Sequence, residues 1–137
     1  MAAIPKNITV AGKRKTAIAK ATIKSGKGNI FINKKPYENL EIFKKLSIQE
    51  IVEIAKKILG KIEFDIFVNV KGGGHESQIE ASRLAISRAL VKITNNKALE
   101  DEFLRYDRNL IVADIRRKEP CKPGDSKARR NRQKSFR

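Results

Sequence analysis

The sequence predicts an α+β fold: a single compact domain with helices packed on one face of a sheet, followed by an extended basic C-terminal tail. Three observations carry this expectation. Apolar and polar residues alternate over Thr16–Lys24 and Ile62–Val70, as in half-buried strands. Apolar residues recur every three or four positions after Ser47 and after Glu76, as in amphipathic helices. The composition then breaks sharply after Ile115. With 137 residues, 40% of them hydrophobic, the chain suits one domain with a buried core and appendages.

The elements follow in order. Ile8–Val10 predicts a first short strand. Gly12-Lys13-Arg14-Lys15 reads as its connection to the next, with three consecutive cations at a loop tip. In Thr16–Lys24, Ala17, Ala19, Ala21 and Ile23 share one face, leaving Lys20, Thr22 and Lys24 on a face open to solvent or to RNA. Ser25-Gly26-Lys27-Gly28 reads as a turn into Asn29–Asn33, and the two strands as a hairpin. Ser47-Ile48-Gln49-Glu50 has the spacing of a capping box. Ile48, Ile51, Val52, Ala55, Ile58 and Leu59 then extend a helix that Gly60 ends. Ile62, Phe64, Ile66, Val68 and Val70 alternate in the next strand. Lys71-Gly72-Gly73-Gly74-His75 leads into a helix over about residues 76–94. There Ala81, Ser82, Ala85 and Ala89 are small enough for close packing on a sheet, and Glu76, Glu80, Arg83 and Ser87 form a polar stripe. Leu99 and Phe103 mark a shorter helix over Ala98–Tyr106, and Leu110–Ile115 reads as a last strand. Residues 120–137 contain one large apolar residue, Phe136, together with Pro120, Pro123 and Gly124, a composition that does not pack. The expected division is a globular domain over 1–119 and an extended tail over 120–137.

Charge is concentrated at the ends. Of the formal +16, residues 1–35 carry +9 with no acidic side chain, residues 36–115 carry −1, and residues 116–137 carry +8. A dense block of one sign is suited to a polyanion, and nucleic acid is the leading candidate. An anionic membrane surface fits less well, because no basic amphipathic helix carries Trp or Leu anchors. No apolar run exceeds four residues, too short for a transmembrane helix. Met1-Ala2-Ala3-Ile4-Pro5 lacks the apolar stretch of a signal peptide. One cysteine forms no internal disulfide, so the expected location is the cytoplasm.

Catalysis finds little support. A nucleophile needs a base within reach and a rigid frame, and a zinc site needs about four ligands. His75 and Cys121 are the only residues of their kinds and stand far apart in sequence. No catalytic residue, metal site or cofactor is expected. Gly72-Gly73-Gly74, between a strand and a helix N-terminus, has two readings: a phosphate cradle, or simply a tight turn. It lacks the Gly-Lys-Ser/Thr ending of a nucleotide loop. In the tail, Lys127, Arg129, Arg130, Arg132, Lys134 and Arg137 occur with no acidic residue among them, and Phe136 offers a ring for base stacking. The plainer reading is a solvated tail.

Gly72-Gly73-Gly74-His75-Glu76-Ser77-Gln78, continuing through Ala81, Ala85, Ser87, Arg88, Ala89 and Leu90, closely resembles the signature of the small-subunit ribosomal protein nine family. Gly12-Lys13-Arg14-Lys15-Thr16-Ala17-Ile18-Ala19-Lys20 resembles its opening. Asp114, Arg116, Glu119, Lys122, Gly124, Ala128, Arg129, Gln133, Lys134, Ser135 and Arg137 resemble its ending. Glu119-Pro120 and the terminal Gln133-Lys134-Ser135-Phe136-Arg137 are similar to the archaeal and eukaryotic members. Cys121, where a lysine is usual, and Phe136, where a tyrosine or lysine is usual, depart from the pattern.

The resemblance implies a structural constituent of the small ribosomal subunit, bound to ribosomal RNA of the head beside other ribosomal proteins. It implies a mixed sheet with a left-handed β-α-β crossover, as in part of ribosomal protein five and some small-molecule kinases. The expected RNA-binding residues are Lys13, Arg14, Lys15, Lys71, Gly72, Gly73, Gly74, Arg116, Arg117, Lys118, Lys122, Lys127, Arg129, Arg130 and Arg132. Lys134 and Arg137 are expected near the peptidyl-site tRNA. Two other readings stand beside this one: a free-standing RNA-binding or chaperone protein, and a phosphotransferase using the glycine loop.

Overall fold

The computed structural model describes residues 8–124 and 127–130. Five strands form one mixed sheet: β1 (Ile8–Arg14), β2 (Ala17–Ser25), β3 (Ile30–Ile32), β4 (Lys35–Pro36) and β5 (Phe64–Lys71), in the spatial order β1-β2-β5-β3-β4. The helices are α1 (Ile42–Leu59), α2 (His75–Thr94) and α3 (Lys97–Tyr106). Short 3-10 turns occupy Tyr37–Asn39 and Arg108–Leu110. β3 and β5 are parallel neighbours, with α1 in the connection between them, and the other pairings are antiparallel.

The alternation in β2 and β5 dictates the layering. Ala17, Ala19, Ala21 and Ile23 of β2, with Phe64, Ile66, Val68 and Val70 of β5, are buried against the helices. Ala81, Ser82, Ala85, Ile86, Ser87 and Ala89 of α2 are wholly buried. Small residues on both sides let helix and sheet approach closely. At Gly12 the approach leaves no room at all, since a Cβ there would lie 2.3 Å from the Ala81 carbonyl oxygen and 2.7 Å from the Ala85 nitrogen. The buried hydroxyls of Ser82 and Ser87 donate to the carbonyls of Gln78 and Arg83, at 2.7 and 2.9 Å. Ser87 therefore belongs to the packed face, not to the polar stripe expected for it. Its hydroxyl can be buried because the preceding helical turn supplies an acceptor.

Four further sequence expectations are corrected. β2 and β3 do not pair as a hairpin, because β5 lies between them. β5 matches β2 over eight residue pairs, from Ile18↔Lys71 to Ser25↔Phe64, whereas β3 offers only three residues. The intervening turn closes on β5 as well: the Lys27 and Asn29 amides donate to Asp65 Oδ1 at 3.0 and 2.8 Å.

The capping box does not start α1. The helix begins at Ile42, and Ser47 lies inside it, donating to the Phe43 carbonyl at 2.9 Å, while Glu50 pairs with Arg83 at 2.9 Å. Leu110–Ile115 forms no strand. Its backbone is held by a side chain, with Arg88 donating to the Ile111 carbonyl at 2.8 Å and to the Ala11 carbonyl of β1 at 3.3 Å. Finally, Gly12, Lys13 and Arg14 are strand residues of β1, so Lys13 and Arg14 point to opposite faces of the sheet and only Lys15 sits in the turn.

Candidate nucleic-acid interface

The helices cover one side of the sheet, and the strand pleat sends every second side chain to the other. Register decides which residues meet there. One row across the sheet runs Lys13–Ile18–Lys71, the next Ala11–Lys20–Asn69, the next Thr9–Thr22–Phe67, and Lys24 stands opposite Asp65. Lys13, Lys20, Lys24 and Lys71 are all exposed. Lys13 and Lys71, 58 positions apart in sequence, are separated by two strand spacings, about 10 Å. The acidic residue of this face is Asp65, whose Oδ1 already accepts the two turn amides. The result is a cationic surface on a rigid frame.

Lys15 extends this surface at the β1–β2 turn, exposed and at φ 51°. Arg14 does not. Its side chain is 16% exposed and ion-paired with Glu80 and with Asp114. Asp114, itself 11% exposed, also accepts from the Arg116 amide at 2.7 Å and from its guanidinium at 2.8 and 2.6 Å. Arg117 donates to the Asp114 and Arg116 carbonyls at 2.9 Å each. Arg14, Glu80 and Asp114 thus form a clasp that fixes where the basic C-terminal segment leaves the domain.

The glycine loop follows directly from Lys71. Gly72 and Gly73 have φ of 74° and 69°, and the loop packs on the β1–β2 turn. A Cβ at Gly72 would lie 2.7 Å from the Thr16 carbonyl oxygen, and one at Gly73 would lie 2.8 Å from the Ala17 Cβ. Both glycines are therefore required by the fold itself. Gly74 is different: it caps α2 with no side-chain hydrogen bond, and a Cβ there would meet nothing within 4 Å.

Past the clasp, Arg116, Arg117, Lys118, Lys122, Lys127, Arg129 and Arg130 are exposed. Arg129 makes a forked pair with Glu119, with contacts of 2.9 and 2.5 Å, and this hydrogen bonding raises the guanidinium pKa further above its ordinary value. The Arg130 amide closes a turn on the Lys127 carbonyl at 3.0 Å. Arg132, Lys134 and Arg137 lie outside the described residues, as does Phe136. His75 opens α2 and is exposed, and Cys121 is an exposed free thiol. No group of three or more potential metal ligands occurs among the described residues, and no helix there is long and apolar enough to cross a membrane.

Sequence reasoning missed the parts that depend on partners distant in the chain. Arg88, Glu80 and Asp114 serve as positioning residues; Asp114 and Arg88 stand out within motifs and Glu80 only as part of a polar stripe, none of them with its partner. Lys13 and Lys71 join Lys20 and Lys24 through strand register, which no local pattern reveals.

Comparison with known proteins identifies relatives over this whole arrangement. A family model described as ribosomal protein S9/S16 matches residues 12–137. The chain is 47% identical over 135 residues to the small ribosomal subunit protein uS9 of Methanococcus vannielii, a match covering 96% of this chain and 99% of that protein. The uS9 of Methanococcus maripaludis is equally similar, with the same coverage.

Proposed function

The chain belongs to the ribosomal protein S9/S16 family, and from that premise we propose that it is a structural protein of the small ribosomal subunit, working in translation in the cytoplasm. It binds ribosomal RNA of the subunit head, beside neighbouring ribosomal proteins, and has no catalytic residue, cofactor or metal. The observation that carries the RNA-binding part is the uncovered sheet face, where Lys13, Lys20, Lys24 and Lys71 face a single carboxylate that is already engaged.

Lys13, Lys15 and Lys71 take backbone phosphates, and the amides at the start of α2, after Gly72–Gly74, offer a further phosphate site. Arg14 serves this surface indirectly by holding the exit of the C-terminal segment. Arg116, Arg117, Lys118, Lys122, Lys127, Arg129, Arg130 and Arg132 follow the RNA as the chain leaves the domain. The globular part spans 1–119, and residues 120–137 act as an extended basic tail whose Lys134 and Arg137 approach the peptidyl-site tRNA. Support for that last contact is the resemblance of the terminal residues to the family's ending. The phosphotransferase reading loses its motif, because Gly72 and Gly73 are accounted for by packing on Thr16 and Ala17.

Co-sedimentation tests this function. The full chain should remain with small subunits through a high-salt wash. Release in the wash, with RNA binding retained, would instead indicate a free-standing RNA binder.

A further inference from the structure

The open sheet face carries more than charge. Phe67 of β5 and Phe31 of β3 are directly paired in the parallel register, and their rings stack with centroids 5.1 Å apart and planes within 7°. Phe67 remains 39% exposed. The Lys24 ammonium sits over the Phe67 ring, 5.3 Å from its centroid, so a π-face of that ring already attracts a cation that an incoming base would displace. Beside the rings is a hollow of about 460 Å³, lined also by Lys20, Thr22, Asn33, Lys34 and Asn69. No acidic side chain lines it among the described residues.

The β3–β4 turn adds an independent observation. Asn33 and Lys34 are its two connecting residues, and both have positive φ, 49° and 67°. Asparagine tolerates this conformation, but lysine does so at a cost that glycine would avoid. A strained residue maintained at the rim of a hollow points to function, and here the strain places a cation there. Asn33 Oδ1 accepts the Val70 amide at 2.8 Å, which fixes the side chain and leaves its amide NH₂ for another partner.

We propose that this hollow is a binding site for an unpaired RNA nucleotide, its base stacked on the Phe67–Phe31 pair and its phosphates held by Lys20, Lys24 and Lys34. Three features needed for such a ligand converge: a π-surface for the base, amide and hydroxyl groups for its polar edge, and cations for its phosphates. The volume suits a base with its sugar and lies within the range of small-ligand sites. When the base stacks on Phe67, the Lys24 ammonium moves from the ring to the adjoining phosphate. A docked protein fits less well, because an apolar one would bury the lysine cluster unpaired. A duplex fits less well because its bases are already stacked. This site shares Lys20 and Lys24 with the cationic face and adds to it the rings, Asn33 and Lys34, and it rests on the ribosomal reading only for which RNA supplies the nucleotide.

The test uses the full chain with a single-stranded octauridylate and a blunt duplex RNA. Phe67→Leu keeps an apolar residue at an exposed position and removes the ring. It should weaken octauridylate binding about fivefold or more, the lower range for loss of one stacked base, and leave duplex binding within about twofold. Lys34→Gly provides a check that does not depend on a destabilised fold. It should leave the Tm unchanged or raised, while lowering octauridylate affinity and reducing its salt slope by about 0.7. Equal effects on both RNAs, or no effect in either variant, would overturn the proposal. In assembled subunits, a photo-crosslinking residue at position 67 should attach to ribosomal RNA, and attachment only to protein would overturn it. If the chain fails to enter subunits while octauridylate binding behaves as described, the ribosomal reading fails and this site stands.

Discussion

The two faces of this sheet are built from the same strands and differ in almost every property. Along β2, Ala17, Ala19, Ala21 and Ile23 are buried, while Ile18, Lys20, Thr22 and Lys24 occupy the opposite side. Along β5, Ile66, Val68 and Val70 are buried, while Phe67, Asn69 and Lys71 are not. The covered face uses small and branched residues so that α2 can press down on it. The open face uses lysines and aromatic rings that no helix covers. Stability and binding are thus assigned to alternate residues of one strand, so neighbouring substitutions should have unrelated consequences.

The largest effect is expected on the covered face. Ile66→Ala should cost about 2–5 kcal/mol of stability, and Gly12→Val about 1–3 kcal/mol or more, because its side chain would meet the α2 backbone. Denaturant unfolding measures both. Whatever fraction remains folded should bind RNA with unchanged salt dependence. A change in that dependence would break the separation of the faces.

Arg14→Ala comes next, at about 1–3 kcal/mol, since it leaves Glu80 and Asp114 without their shared cation. It should also free the segment after Asp114, raising exchange of the Arg116 amide, which donates to Asp114 Oδ1. Undisturbed exchange there would show that the clasp does not set the exit of the segment.

On the open face, replacing Lys13, Lys20 and Lys71 together by alanine should change stability by no more than about 0.5 kcal/mol. The slope of log affinity against log salt for ribosomal RNA should flatten by about two to three units, as each lost phosphate contact removes roughly 0.7–0.9. An unchanged slope would mean that these lysines face solvent in the complex.

Deleting residues 134–137 should have the smallest effect on the domain, with no loss of folding or of entry into subunits. It should weaken peptidyl-site tRNA binding by about 1–3 kcal/mol, the worth of two charge-assisted contacts. Filter binding of tRNA to reconstituted subunits measures this, and failure of the truncated chain to assemble would make the tail an assembly element.

What the sequence reveals follows the same division between local and distant causes. β2, β5, α2 and α3 are legible because their patterns depend on their own residues. The start of α1 is not, because Ile42 and Phe43 are 73% and 85% exposed and contribute no buried stripe. The pairing of β2 with β5 is not, because β5 lies about forty residues further along the chain. The irregular path of residues 111–115 depends on partners distant in the chain, the guanidinium of Arg88 at Ile111 and that of Arg14 at Asp114. In the candidate interface, the lysines at 20 and 24 are visible from alternation, whereas Lys13 and Lys71 join them only through the register of three strands. Arg14 shows the reverse error: in sequence it looks like its cationic neighbours, and the pleat turns it inward to two carboxylates.

Lysine reactivity compared between the free chain and assembled small subunits tests the central claim most directly. With an amine-reactive reagent and mass-spectrometric readout, Lys13, Lys20, Lys24 and Lys71 should all be modified in the free protein, where they are exposed, and protected together in the subunit. Equal modification of these four in both states would show that the open face is not where this protein meets RNA.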